Sequence, residues 1–352
     1  MSKVHFIAMD THSHTTDICV KTRANGPAKR WRVVTTIPAI REVIERIPRP
    51  RKLTFEEGPL ADWLWRNLRG VVDEAVVCDP RKNALVAKDG DKDDPIDAEK
   101  LCDLWIGGFT RTVHHPESVL RQVCKQTVGL YHERVVHRVC ASNKVMGLLK
   151  RWGVMAREKD FSEKEDRGAL LDRVGNSAEH AVVKRHIELL FHGYDEAVST
   201  EESLRREVVK LAKSQEQVVR WEALPGIGWI RGLTALVYLD TPFRFKSKQA
   251  LWKYMGIGLV REHSGSGGEF VHVEAAANRV LKSAILGAAE SAILQGDNAF
   301  AEQFTRWTGA GLSRRNARRN VARSLSGVMW GMWKNGGTYD PELVCRVPAG
   351  AG

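Results

Sequence analysis

Apolar and polar residues alternate through the first third of the chain. Val4–Met9, Thr16–Lys21 and Trp31–Thr36 each read as a strand, and Asn25-Gly26 supplies a turn between the last two. Pro38 then opens a segment with Ile40, Val43, Ile44 and Ile47 at helical spacing, which Pro48 and Pro50 close. A short strand at Leu53-Thr54-Phe55 runs into Glu56, residues 60–68 return to a helical period, and Ala75–Cys78 is a further apolar strand ended by Asp79-Pro80. After a charged stretch at 88–94, a helix is expected from about Ile96 to Ile106. An antiparallel meander followed by alternating helices and strands predicts an α/β layer unit over 1–116, with Pro116 at its boundary.

The period changes beyond that point. Leu120, Cys124, Val128, Tyr131, Val135 and Val139 recur every three to four residues, and Leu204, Val208, Leu211 and Val218 repeat the pattern after a charged break at 159–166. Long amphipathic helices over 117–220 fit this spacing, as a coiled coil or as an intramolecular bundle. From Leu224 the composition shifts to LPGIG, Trp-rich helices and a Gly/Ser loop at 264–268, which predicts a second, mainly helical globular domain over 221–340 and a tail at 341–352.

Charge narrows the partner. The chain has 352 residues, 54 Lys plus Arg against 43 Asp plus Glu, and a formal net charge of +11. Such a balance favours a polyanion, nucleic acid before an acidic membrane surface. The 43% hydrophobic and 28% charged content excludes a wholly disordered chain. Asp10 interrupts the only stretch that could imitate a signal peptide, and even GLTALVYL stops at Asp240, so a cytoplasmic protein without a membrane partner is expected. The six cysteines form no CxxC pair, so zinc-finger spacing is absent and reduced, mostly buried thiols are expected.

Four carboxylates stand at the ends of these elements: Asp10 after the first strand, Glu56 after the fourth, and Asp94 and Asp97 at a helix start. Residues three apart share a helical face, so Asp94 and Asp97 can address one cation, although acids at a helix start are also explained by the dipole. Two Mg²⁺ ions about 3.5–4 Å apart at a phosphoryl-transfer centre need such hard oxygen donors. Glu57 beside Glu56 leaves the register open, because adjacent strand residues face opposite sides. The stretch MDTHSHTT starts like the phosphate loop of a sugar-kinase fold, but no glycine lies between Asp10 and Thr16 to admit a phosphate to the backbone. His12 and His14 fit either metal ligands or an exposed turn.

Three later segments carry further candidates. Gly226 and Gly228 in LPGIG have the spacing of a helix-hairpin-helix turn, whose amides can meet DNA phosphates, or of a plain helix connection. Ser264 and Ser266 offer hydroxyls in a Gly/Ser loop flanked by Arg261, Glu262 and His263; a serine nucleophile there needs a base or a metal to activate it. Ser313 caps a helix bearing Arg314, Arg315, Arg318, Arg319 and Arg323, with no balancing acid nearby in sequence, and this is the strongest local basic patch. Lys282 joins these arginines as a candidate nucleic-acid contact.

Taken in order, IAMDTH, LTFEEG, KDDPIDAEKL, LPGIG, FRFKSKQALWKYMGI and REHSGSGG resemble the transposases of the insertion-sequence 110 family, the DEDD transposases also described as bridge-RNA-guided DNA recombinases. The resemblance covers nearly the whole chain. It implies a RuvC-like, RNase H-type N-terminal domain, a helical coiled-coil connection and a C-terminal transposase domain. It assigns the acidic tetrad to Asp10, Glu56, Asp94 and Asp97 with Mg²⁺ or Mn²⁺, and the catalytic serine to Ser264. It further implies donor and target DNA, a structured guide RNA and a dimer or tetramer as partners. Here Glu57-Gly58-Pro59 follows the glutamate where the family often has Ala-Thr-Gly or Ala-Ser-Gly, so Glu57 stays an alternative to Glu56, as Ser266 does to Ser264. Two other classes remain: a Holliday-junction-resolvase-like nuclease using water, and a non-catalytic nucleic-acid-binding protein.

Overall fold

The alternating segments of the first part of the chain pair into one six-stranded mixed sheet. Its strands are β1 (His5–Thr11), β2 (Thr15–Lys21), β3 (Lys29–Val34), β4 (Arg51–Glu56), β5 (Glu74–Cys78) and β6 (Thr112–Val113), in the order β3-β2-β1-β4-β5-β6. The molecule is described by a computed structural model over residues 3–80, 94–116, 118–264, 267–273 and 277–345. The chain divides into two units, Met1–Val119 and Leu120–Gly352.

In the first unit β1, β2 and β3 form the expected antiparallel meander, while β4 returns parallel to β1 and β5 parallel to β4. The third strand starts two residues earlier than the apolar pattern indicates, because Lys29 already pairs with Val20 and Thr36 leaves the sheet to cap the next helix. Period two divides the side chains between the faces. Ile7, Met9, Leu53 and Phe55 pack under α1 (Ile37–Glu45) and α2 (Ala61–Leu68), whereas Ala8, Cys19 and Cys78 pack under α3 (Asp94–Ile106) through Ala98, Leu101 and Cys102. Arg51 is buried against the first of these layers, and its guanidinium donates to the carbonyls of Ile44, Glu45 and Ile47 at the end of α1 and to that of Val71. An arginine is thus the cap that α1 lacks in its own sequence.

The layer formed by α3 is held by one charged clamp. Lys21 has a side chain only 1% exposed, and its ammonium donates to Glu99 at 2.9 Å and to Asp103 at 2.6 Å. Burial works against that charge, but the two carboxylates outweigh it and raise the Lys21 pKa, while Lys21 and Arg30 hold the Glu99 carboxyl below its usual range. The raised ammonium contributes stability in full below the ordinary lysine pKa and loses it as pH rises through the folded value. The depressed carboxylate contributes in full above the ordinary carboxylate pKa and loses it as pH falls. Lys21→Met should therefore cost about 3 kcal/mol or more between roughly pH 4.5 and 10, because two partly buried carboxylates lose their cation. Calorimetric unfolding should show that the gap from the natural protein narrows on acidification.

The second unit is mainly helical. Its long helices α4 (Val119–Arg151) and α6 (Ala178–Lys213) share a core of Val145, Leu149, Ile187, Phe191 and Tyr194. The charged break between them contains a 3-10 turn (Glu158–Asp160) and α5 (Arg167–Asp172), and the half-buried Arg167–Asp195 pair ties α5 to α6. Of the predicted apolar stripe, Cys124, Val128 and Tyr131 are buried but Leu120 and Val139 are exposed. The stripe is therefore split between an internal core and a solvent face. Helices α7 (Glu216–Trp221), α8 (Trp229–Leu239), α9 (Lys248–Tyr254), α10 (Arg279–Gln295), α11 (Ala299–Gly309), α12 (Arg314–Asn335) and α13 (Pro341–Cys345) build the larger core around Trp221, Leu236, Ile285 and Met329. A two-stranded hairpin, β7 (Leu259–Ser264) with β8 (Gly267–Val273), interrupts them. Among the described residues no helix is long and apolar enough to cross a membrane.

Candidate functional site

Asp10, next to last in β1, and Glu56, last in the parallel neighbour β4, each stand one step beyond the paired Met9 and Phe55. Met9 and Phe55 face α1 and α2, so Asp10 and Glu56 face the α3 side, side by side at the carboxyl ends of their strands. Both, with Glu57, line a cavity of about 420 Å³ at the end of the sheet, whose apolar wall is Leu60, Ala61 and Leu64 from the α2 side. His12 reaches toward the same place, its Nε2 3.3 Å from Asp10 Oδ2. His14 lies in an exposed turn.

Asp97 belongs to α3, which packs on the sheet through its later half. Trp105 packs edge-on against Phe6 at 5.5 Å and Cys102 donates to the Phe6 carbonyl, so the later half of α3 lies over the start of β1. Asp97 is exposed in the first turn, with buried Ala98 beside it. Asp94 is the first residue of α3, and its side chain lies outside the described residues.

Glu57 has a different task. His115, 4% exposed, bridges it to α2: Nε2 hydrogen-bonds Glu57 and Nδ1 hydrogen-bonds Asp62 at 3.0 Å. The Glu57 amide also donates to the Cys78 carbonyl at 2.8 Å. This bridge was invisible in the sequence, since His115 lies more than fifty residues from either carboxylate. Glu57 also lines the cavity shared by Asp10 and Glu56.

Among the described residues no group of three or more His, Cys, Asp or Glu side chains is gathered closely enough to hold an ion by itself. An all-carboxylate pair nevertheless suits Mg²⁺ or Mn²⁺, because Mg²⁺ keeps several waters and is commonly held by one or two carboxylates plus substrate phosphates. Asp10 and Glu56 meet that description.

The second unit carries the other candidates. Ser264 is the last residue of β7 and is paired with Gly267, with a break in regular register after His263. The predicted loop at 264–268 is thus mostly strand, since backbone pairing continues through Ser264 and Gly267. The side chain of Ser264, and Gly265 and Ser266 altogether, lie outside the described residues.

Gly226 has φ +80°, and a Cβ there would stand 2.1 Å from the Ala288 carbonyl oxygen of α10. Close helix packing therefore requires this glycine whatever else the turn does. Gly228 is the N-cap of α8 and would meet nothing within 4 Å if it carried a Cβ. The turn lines a cavity of about 520 Å³ with Arg231 and Ser291. Half-buried Lys282 lies on α10 with its stem against Gly256.

The arginine helix is α12, and it is not free of acids. Glu290 on α10 accepts from Arg314 at 2.6 Å and from Arg318 at 3.2 Å. Burial alone would raise its pKa, but the two guanidiniums hold the Glu290 carboxyl below the usual range. Arg323 donates to the Ile257 carbonyl at 2.7 Å and to Asn320. One carboxylate from another helix thus partly offsets the five arginines of α12. Arg315 is exposed, and Arg319 is half-buried beside Asn316.

With this geometry in hand, likeness to known proteins is informative. The model of the family "Transposase IS116/IS110/IS902 family" matches residues 220–305, the stretch from α7 through the hairpin into α11. The chain is also 24% identical over 254 residues to "Putative transposase y4pF/y4sB" of Sinorhizobium fredii (strain NBRC 101917 / NGR234), a match spanning 70% of this chain and 64% of that relative. The second unit thus carries a segment of the IS116/IS110/IS902 transposase type, and the first unit supplies paired carboxylates at the end of a mixed sheet.

Proposed function

We propose that the chain is a transposase, a site-specific recombinase that cuts and rejoins DNA. Asp10, Glu56, Asp94 and Asp97 would hold Mg²⁺ or Mn²⁺, and Ser264 would be the nucleophile. The observation that carries this reading is the placement of Asp10 and Glu56 on one face, at the carboxyl ends of adjacent parallel strands, in a chain whose second unit matches a transposase family. The strand order, with an antiparallel meander feeding two parallel strands, supports an RNase H-type, RuvC-like first domain. In the four-part division, that domain covers 1–116, the paired long helices 117–220, the serine-bearing domain 221–340 and a tail 341–352.

A bound divalent ion supplies charge stabilisation at the phosphate under attack. Asp10 and Glu56 supply the negative charge that recruits it, and Asp97 adds another carboxylate from α3. The Ser264 hydroxyl attacks a backbone phosphorus, one phosphodiester P–O bond breaks, and the departing strand leaves as a free hydroxyl that takes up the proton. The phosphoserine ester conserves the bond, so a hydroxyl from a second strand can displace the serine without an external energy source. Sequence choice would be delegated to a structured RNA paired with donor and target DNA, the protein contributing shape and backbone contacts. A dimer or tetramer would bring the copies together.

Incubation of the purified protein with labelled DNA and the RNA transcribed beside its gene tests the reading. Strand cleavage with Mg²⁺ and none with EDTA is expected; cleavage indifferent to EDTA would overturn the metal role. Binding has its own test. Among the described residues, Arg315 and Arg319 are the arginines of α12 that bond neither Glu290 nor a backbone carbonyl. Replacing both with Gln should flatten the salt dependence of DNA binding by about 0.7–0.9 log-log unit per lost phosphate contact. An unchanged slope in a salt titration would remove α12 from the DNA interface.

A further inference from the structure

A cavity of about 770 Å³ lies between α9, α11 and α12 in the second unit, apart from the carboxylates, the hairpin and the LPGIG turn. It exists because α12 turns Gly327 and Gly331 toward it, and a Cβ at Gly331 would meet nothing within 4 Å. Two indoles, Trp252 and Trp307, contribute to the wall. Three cationic side chains, Lys248, Arg306 and Arg323, line it against the single carboxylate of Asp340.

Gln303 completes the wall and is 6% exposed. Its Nε2 donates to the Val344 carbonyl at 2.6 Å, which fixes the other end of the amide as an acceptor. That Oε1 is buried and has no hydrogen-bond partner among the described residues. Buried acceptors are almost always satisfied, so an orphan beside a cavity marks the place of an N–H donor. The volume falls within the usual range for small-ligand sites, about 300–1,000 Å³, and is large enough for a nucleotide.

We propose that this cavity receives one unpaired nucleobase of a bound DNA or RNA strand. The base stacks on the indole surfaces, one of its edge N–H groups donates to Gln303 Oε1, and Lys248 and Arg306 meet the flanking phosphates. The inference rests on the nucleic-acid reading above but names a contact distinct from the cleavage chemistry. Cations with indoles and a single buried acceptor suit a base with its phosphate better than an apolar peptide segment, which would leave the cations without counter-charge.

The test uses the full chain and three DNA duplexes of equal length: fully paired, with a one-adenine bulge, and with an abasic bulge. Fluorescence anisotropy should show about tenfold tighter binding of the adenine bulge than of the abasic one. Gly331→Leu, which fills open space, should abolish that preference while retaining affinity for the paired duplex and the thermal midpoint. Gly331→Ala, which leaves most of the cavity empty, should keep the preference. Equal affinity of the natural protein for both bulges, with duplex binding intact, overturns the pocket and spares the nucleic-acid reading. No binding of any duplex overturns both. A change of oligomeric state in Gly331→Leu with the adenine preference unchanged would assign the cavity to a second copy of the chain and also overturn the proposal.

Discussion

Asp10→Asn and Glu56→Gln are each expected to reduce divalent-ion-dependent DNA cleavage at least about 100-fold, the scale seen when one preorganised charge-stabilising group is removed. Both substitutions are nearly isosteric and remove a charge without removing volume. Glu56 is exposed and Asp10 is half-buried at a strand end, so neither change empties a core position. Thermal unfolding should be unchanged within about 0.5 kcal/mol, as for most surface substitutions. Glu57→Gln is the contrasting variant. Its carboxylate is engaged by His115, so it should lose stability through the bridge to Asp62 yet retain cleavage at a temperature where it is folded. Gel assays with Mg²⁺ and with Mn²⁺, read beside circular-dichroism melts, check both halves. Full cleavage by Asp10→Asn would remove Asp10 from the metal site, and loss in Glu57→Gln without unfolding would transfer the glutamate's role one residue along.

The first domain was legible because its signals are local. Alternation places β1 and β2, prolines bracket α1, and carboxylates that end apolar runs stand out as Asp10 and Glu56 do. The third strand was displaced by two residues because an edge strand beginning Lys29-Arg30 carries no apolar signal at its start. β6 has two residues and exists only through its pairing with Val77 and Cys78, which no local pattern announces. Which face Phe55 takes is likewise set by packing against Ile7 and Met9 rather than by spacing.

Long-range polar pairing is what the sequence hides. Glu290 lies 24 and 28 residues from the arginines it neutralises, His115 lies 58 from Glu57, and Lys21 lies 78 and 82 from Glu99 and Asp103. A charge run on one helix therefore overstates the free charge. Of five arginines on α12, Arg314 and Arg318 share a carboxylate and Arg323 is spent on a backbone carbonyl, which moves the expected DNA contacts to Arg315 and Arg319. Glycine misleads in the same way. In LPGIG the helix-hairpin-helix reading and the packing reading coincide at Gly226, where the carbonyl of Ala288 excludes any side chain, so only Gly228 remains available to a phosphate without a competing structural demand.

Ser264→Ala is expected to bind DNA and RNA with the affinity of the natural protein and to form no covalent protein–DNA adduct. A serine hydroxyl is a weak nucleophile at its ordinary pKa, so attack requires both activation and precise placement. Ser264 ends β7 paired with Gly267, where the register breaks after His263. Ser266 stands two residues on in the sequence, and Ser266→Ala should still form the adduct. On a denaturing gel with end-labelled target DNA, the natural protein and Ser266→Ala should carry label and Ser264→Ala should not, a difference of at least about 100-fold in adduct. Label retained by Ser264→Ala and lost from Ser266→Ala would move the nucleophile two residues along. Cleavage without adduct in all three would replace serine by water and make the chain a resolvase-like nuclease, for which Asp10→Asn is expected to show the same loss of cleavage.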